Sequence, residues 1–297
     1  MARHSPAHPP FRLTPAHDRL LRGSTTTPVG MYQLHLATAD QLCRLHYRAG
    51  SLTHVKEQLK ALADHGYTLA GTIPTTSSGV PFYYTLGSAG VQYLAALGYE
   101  GADTFRAKKE VDKSWLFLKH HLELNDVVIS AALIGRADSR MRLSRFATDR
   151  TLKRKPIVAV VQGRKVAVVP DAFLHFTVGA ARQRFLIEHD RGTEGQAHFR
   201  RRIRAYVAYL REERVPVVFT TFVGEARREQ MRAWTTRELE GAAARELATA
   251  FRFAALTHPP APDVWCAPVW FTPYDVPPTA LLGTETRKDC DDASACL

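Results

Sequence analysis

The sequence has no unbroken apolar run of about 18 residues, the length that a membrane-crossing helix needs, and its opening MARHSPAHPP lacks the apolar stretch of an export signal. Both absences argue against a membrane-spanning or exported protein and lead us to expect a cytoplasmic one. Cysteine is scarce as well. The four present, Cys43, Cys266, Cys290 and Cys296, show no CxxC spacing and no framework of the kind that staples a small secreted scaffold. There is no Gly-x-Ser-x-Gly and no P-loop pattern, so neither a serine hydrolase nor a P-loop NTPase is indicated. Internal repeats are absent too.

What is present is an ordinary globular composition with an excess of positive charge. Hydrophobic residues make up 45% and charged residues 23% of the 297, which suits a folded chain long enough for two domains. Forty Lys and Arg against 29 Asp and Glu give a formal charge of +11. Such a balance attracts polyanions, and nucleic acid first among them. The excess is uneven, however: residues 1–100 carry eight Lys and Arg against five acids, whereas residues 136–155 alone carry eight against two. We expect a mobile arm over 1–12, a first domain over 13–101, a linker over 102–114, a second domain over 115–283 and a frayed tail over 284–297.

In the first domain Thr14-Pro15 reads as a helix start, and Thr38 as the N-cap of a second helix in TADQLCRLHY. Ser51 then opens SLTHVKEQLKALADHG, in which Val55, Leu59 and Leu62 fall on one stripe while Thr53, Lys56 and Lys60 fall on the opposite arc. Gly66 is placed to end that helix as its C′ residue. Two β-rich runs, YTLAGTI and VPFYYTL, follow with the turn-forming PTTSSG between them, and GSAGVQYLAAL reads as a closing helix with Val91, Leu94 and Leu97 on its inner face. Helix, helix, recognition helix, hairpin and helix is the order of a winged helix-turn-helix. Thr53, Lys56 and Lys60 then face the major groove of double-stranded DNA. The competing reading is a solvated surface helix, since a lysine face often has no other role.

The second half begins with the helical run WLFLKHHLELNDVVISAALIG and continues through the β-branched runs IVAVV and KVAVV, a strand RFLIEHD, a long helix, a strand PVVFTTF, another helix and a possible last strand VWCAPVWF. Alternating helices and strands predict a mixed α/β fold. The helix from His198 carries Phe199, Ile203, Tyr206, Val207 and Leu210 on one stripe, with Arg200, Arg201, Arg202 and Arg204 around the rest. Arg200, Arg201 and Arg204 are candidate contacts to DNA; the alternative is that the four arginines, Arg202 included, pair with Glu188, Asp190, Glu212 and Glu213. In HHLELND, His121 and Asn125 lie one turn apart, which fits a polar network better than a metal site with no third ligand.

Pro170-Asp171 at the end of a β-run and Glu188 on a following strand form the skeleton of a PD-(D/E)xK nuclease site. Asp171 and Glu188 are candidate metal ligands for Mg²⁺, with Glu123 as a further carboxylate, because a hard cation takes oxygen donors and activates a bound water. Strand alternation puts Glu188 and Asp190 on one face, so that Asp171, Glu188 and Asp190 form a candidate catalytic set. Asp190 stands where the motif calls for lysine, and an aspartate cannot offset charge developing on a phosphoryl group. A structural alternative has Asp190 capping backbone amides in Asp190-Arg191-Gly192-Thr193 and pairing with an arginine.

Taken together, LTPAHDRLL, TADQLCRLHY, HHLELND, PDAFL and FLIEHDRGTE with its following arginine-rich helix resemble the replication-relaxation family of bacterial plasmids and mobile elements, over most of residues 13–235. The resemblance implies a winged helix followed by a restriction-endonuclease-like α/β domain, and a role in replication, DNA relaxation or transfer alongside replication or conjugation proteins, with a homodimer as one arrangement. A Mg²⁺-dependent nickase using Asp171 and Glu188, and a winged-helix transcriptional regulator, are the alternative functions.

Overall fold

The computed structural model describes residues 31–74, 82–99, 105–106, 113–154, 156–161, 163–274 and 277–283. The expected arm, the helix begun by Thr14-Pro15, residues 75–81 of the turn region, most of the expected linker and the tail with Cys290 and Cys296 lie outside these. The fold is mixed α/β. The chain divides into two compact units, Met1–Leu122 and Glu123–Leu297, and each is described by itself. No helix among the described residues is long and apolar enough to cross a membrane.

In the first unit, helical residues 31–34 precede strand β1 (Leu36–Thr38), helix α1 (Ala39–His46), helix α2 (Leu52–Asp64), strands β2 (Thr68–Thr72) and β3 (Phe82–Leu86), and helix α3 (Ser88–Ala96). Thr38 caps α1 in a reciprocal capping box with Gln41, its hydroxyl accepting from the Gln41 N–H at 3.1 Å, which satisfies two otherwise orphaned amides. At the far end of α2, Gly66 adopts φ +72°. The Tyr67 N–H donates to the Leu62 carbonyl at 2.9 Å and the Gly66 N–H to that of Ala63 at 3.0 Å, which is the Schellman pattern. The chain turns there into β2, and β1, β3 and β2 form one antiparallel sheet with β3 in the middle. Leu36, Leu42, Val55, Leu59, Leu62, Tyr67, Leu86 and Leu94 are at most 1% exposed and form this unit's core.

One expectation for α3 is corrected. Tyr93, Leu94 and Gly90 are its buried residues, while Leu97 lies beyond the last helical residue and is 52% exposed. The helix stops a residue too early for Leu97 to complete the stripe.

Helix α4 (Trp115–Ala132) contributes its first two turns to the first unit and the rest to the second. Beyond it the second unit holds a five-stranded sheet in the order β10-β9-β8-β7-β4, built from β4 (Met141–Thr148), β7 (Ala172–Val178), β8 (Ala181–Asp190), β9 (Val217–Thr221) and β10 (Phe251–Ala255). Strands β8, β9 and β10 run parallel, and β7 and β4 antiparallel. The runs IVAVV and KVAVV form a separate hairpin, β5 (Ile157–Val161) with β6 (Arg164–Val168).

Strands β4 and β7 were not anticipated, because MRLSRFAT breaks its apolar alternation with arginines and AFLHFTV reads equally as a short buried helix segment. The last strand of the sheet is Phe251–Ala255 and not VWCAPVWF. That later segment holds a short 3₁₀ turn and makes only isolated bridges, with Trp265 and Trp270 stacked at 5.5 Å and fully buried. Pro268 inside it removes a ladder donor.

Helices α5 (Gln196–Glu212) and α6 (Glu225–Gly241) supply Phe199, Ile203, Tyr206, Met231 and Leu239 to a core that they share with Phe219, Leu186 and Phe253 of the sheet. Phe176 packs on the opposite side of β7, 5.3 Å from Trp265, whose Nε1 donates to Ser130 Oγ of α4 at 3.0 Å. The sheet is thus lined by apolar residues on both faces.

Candidate functional site

In the first unit, Val55, Leu59 and Leu62 are at most 1% exposed, and Thr53, Lys56 and Lys60 lie exposed on the opposite side of α2. The hydrophobic stripe fixes the rotation of the helix, and the polar arc is left outward as a consequence. Lys60 Nζ pairs with Asp64 Oδ2 one turn on at 2.7 Å, and that hydrogen bond raises its pKa. Tyr83 and Tyr84 of β3 are buried at 2% and 9% exposure, as side chains packed on the domain rather than offered to bases.

In the second unit, Asp171, Glu188 and Asp190 lie near where three parallel strands end, the edge of an α/β sheet at which ligands generally bind. Asp171 immediately precedes β7, whose first residue Ala172 pairs with Ile187. This register sets Asp171 beside Glu188, and its Oδ2 accepts the His189 N–H at 2.8 Å. Glu188 is 2% exposed. Both of its oxygens are taken: Tyr206 of α5 donates its hydroxyl to Oε1, and Arg202 Nη1 donates to Oε2 at 2.6 Å. The other arm of Arg202 reaches Glu194 Oε2 at 2.6 Å. Burial pushes the Glu188 carboxyl up to about 7 against the pull of Arg202, and the neighbouring Asp171 adds to the rise. Burial, then Glu188, likewise holds the Tyr206 hydroxyl well above its usual range.

Asp190 shares this face but is drawn to a different partner. Arg227 of α6 grips it with two parallel bonds, Nε to Oδ1 at 2.7 Å and Nη2 to Oδ2 at 2.9 Å, and the Gly192 N–H donates to Oδ1 at 2.7 Å. The turn-and-arginine role foreseen for Asp190 is therefore the geometry observed. Both partners are under 10% exposed, and a bidentate charge-assisted pair of this kind both orders and neutralises the turn.

On the reverse face of β8, His189 Nδ1 lies 3.0 Å from Thr220 Oγ1 and its Nε2 lies 3.5 Å from Glu123 Oε2, which Arg191 Nε also meets at 2.8 Å. Phe222 sits between two imidazoles, its centroid 4.6 Å from those of His189 and His258. His258 Nε2 is 2.8 Å from Asp126 Oδ2.

Asp171 and Glu188 are thus brought together, Asp190 is turned to Arg227, and Glu123 stands across the sheet. Among the described residues, no group of three or more His, Cys, Asp or Glu side chains is arranged to hold a metal ion. Mg²⁺ needs several free oxygen donors, and Glu188 and Asp190 have theirs occupied by guanidinium, phenol and amide groups. The site as arranged does not fit that ion.

Of the arginines expected around α5, Arg200 pairs with Glu238 of α6, Arg204 reaches the same carboxylate at 3.6 Å, and Arg201 is exposed. Sequence reasoning missed Arg227, Glu194, Glu238 and the Tyr206 hydroxyl. Tyr206 was legible only as one member of an apolar stripe, Arg227 and Glu238 approach from the distant helix α6, and Glu194, close by after β8, has no spacing that assigns it to Arg202.

A sequence model described as replication-relaxation matches residues 31–220. No curated protein and no solved structure matches the chain.

Proposed function

Because the chain belongs to the replication-relaxation family, which suggests a role in plasmid or mobile-element replication or relaxation, we propose that it acts there as a DNA-binding protein. In this reading its first unit is a winged helix-turn-helix, and its second is a nuclease-like scaffold whose carboxylates are held by arginines. The observation that carries the reading is the first unit's order of helix, β1, α1, α2, β2, β3, with β1 completing the hairpin's sheet and Thr53, Lys56 and Lys60 exposed on α2. This is the order of a winged helix, and α2 is its reading helix. A backing sheet frees one helix face for the major groove, where a hydroxyl and two ammonium groups meet base edges and phosphates.

The full chain is expected to bind duplex DNA at moderate salt. The double variant Lys56→Ala, Lys60→Ala should bind about tenfold or more weakly, with a shallower salt dependence, because each lysine removed leaves a phosphate's counterions in place. Parent-like affinity in that variant would remove α2 from the interface.

For the second unit, the order α4, β4, β7, β8, α5, β9, with Asp171 beside Glu188, supports the nuclease-like scaffold. The positions of Arg202 and Arg227 support a non-catalytic one. Supercoiled plasmid incubated with the protein and Mg²⁺ or Mn²⁺ should stay supercoiled. Nicking that vanishes in Asp171→Ala would instead establish the nickase.

A further inference from the structure

The face of the sheet covered by α5 is covered over only part of its length. Phe173 of β7 and Leu186 of β8 lie beneath that helix, in one core with Phe199 and Ile203. Strand alternation carries the same face onward through His175 and Thr177 of β7 and through Arg184 and Arg182 of β8. The ladder then sets two rows across three strands: Arg145 pairs with His175 and His175 with Arg184, while Arg142 pairs with Thr177 and Thr177 with Arg182. The irregularity between Leu143 and Arg145 is what lets Arg142 and Arg145, three apart, share one face. All four arginines are exposed. Among the described residues none of them makes an ion pair, and β4, β7 and β8 as far as Ile187 contain no acid.

Arginines flanking a central strand stand about 10 Å apart, two strand spacings, which is about one Debye length at roughly 0.1 M salt. Their charges therefore repel one another. His175 registers the field: burial, then Arg182, Arg184 and Arg145, lower its pKa, so that it stays neutral near pH 7. A rigid sheet carrying four unneutralised guanidinium groups is complementary to a row of anions.

We propose that this face, Arg142, Arg145, Arg182 and Arg184 around His175 and Thr177, is a binding surface for the phosphodiester backbone of duplex DNA, separate from α2. Guanidinium is the side chain best matched to phosphate, which it can grip with two bonds. The exposed rows present no Phe, Tyr or Trp ring on which an unpaired base would stack and no apolar side chain to enter a lipid layer. The occupant is therefore a duplex backbone, contacted without regard to sequence. The inference rests on the DNA-binding reading above and adds to it a second, sequence-independent grip.

The test uses the full chain and a mixed-sequence duplex, with affinity followed by fluorescence anisotropy from about 50 to about 200 mM salt. Replacing the four arginines by glutamine should lower the slope of log affinity against log salt by about 3 to 4, four phosphates at roughly 0.9 each. Replacing them by lysine should leave most of the slope in place, and both variants should unfold at the parent's temperature. Lys56→Ala, Lys60→Ala should lose its own share and keep the sheet's. A glutamine variant with the parent's slope, beside a weakened Lys56/Lys60 variant, overturns the sheet surface and leaves the α2 reading standing. A parent that binds no duplex overturns both. Stronger binding to anionic lipid vesicles than to duplex, dependent on the same arginines, overturns the choice of DNA.

Discussion

Glu188 is held at a point of balance between burial and a guanidinium. Its side chain is 3% exposed, and Arg202 and Tyr206 occupy its oxygens, yet desolvation prevails and the carboxyl titrates near 7 rather than its ordinary 4.5. Between those two values the folded state keeps a proton that the unfolded chain releases. The contribution of Glu188 to stability is thus complete below about 4.5 and is lost as pH rises through about 7. Glu188→Gln cannot ionise. Measured by urea denaturation at about pH 5 and about pH 8, the variant should gain on the parent by roughly 1 to 3 kcal/mol across that interval. A difference that stays flat with pH would mean that Glu188 is ionised throughout. The carboxylate itself was legible in the sequence, as the second acid of a Pro-Asp and Glu-x-Asp pattern. An arginine of the following helix was foreseen as an alternative partner for it, but that Arg202 is the one, with the Tyr206 hydroxyl beside it, depends on how that helix folds over the strand.

At the scale of elements, local signals were most reliable where one short segment satisfies its own backbone. The Thr38 cap and the Gly66 turn are of this kind, and both appear as expected. Elements fixed by distant partners were harder to read. Strand β10, with the sequence FRFAA, owes its form to parallel pairing with β9, and nothing within five residues distinguishes it from helix. Helix α3 offers a further case, in which Gly90 lets the helix lie against the β2 entrance. A Cβ there would stand 2.2 Å from the Tyr67 carbonyl oxygen, a backbone atom that cannot swing aside. Gly90→Ala gains about 1 kcal/mol in helix propensity, but the clash outweighs it. A net loss of about 1 to 3 kcal/mol is expected by denaturant unfolding. Gly241→Ala, with nothing within 4 Å of its Cβ, should be neutral or stabilising in the same assay, and equal behaviour of the two would refute the packing argument.

For the whole molecule, the +11 charge separates into cations that the fold has used and cations that it has left exposed. Arg202, Arg227 and Arg232 are bound to carboxylates and carbonyls inside the second unit. Lys56 and Lys60, with Arg142, Arg145, Arg182 and Arg184, are exposed. Counterion release counts only the latter group, so the salt dependence of DNA binding should follow the two surfaces and not the total charge. Arg200 and Arg204, singled out in the sequence beside Arg201, share the carboxylate of Glu238, and that carboxylate weakens their field.

Composition, periodicity and caps determined by themselves that this is a mixed α/β protein of two parts and that α2 turns Thr53, Lys56 and Lys60 away from its buried stripe. These follow from interactions within a few residues, or from a period that a single segment displays. Which arginine neutralises which acid, and which arginines stay unpaired, only the tertiary structure decided. Strand register and helix docking bring together groups tens of residues apart, and the Coulomb and desolvation energies that set their roles depend on the distances and the burial that result.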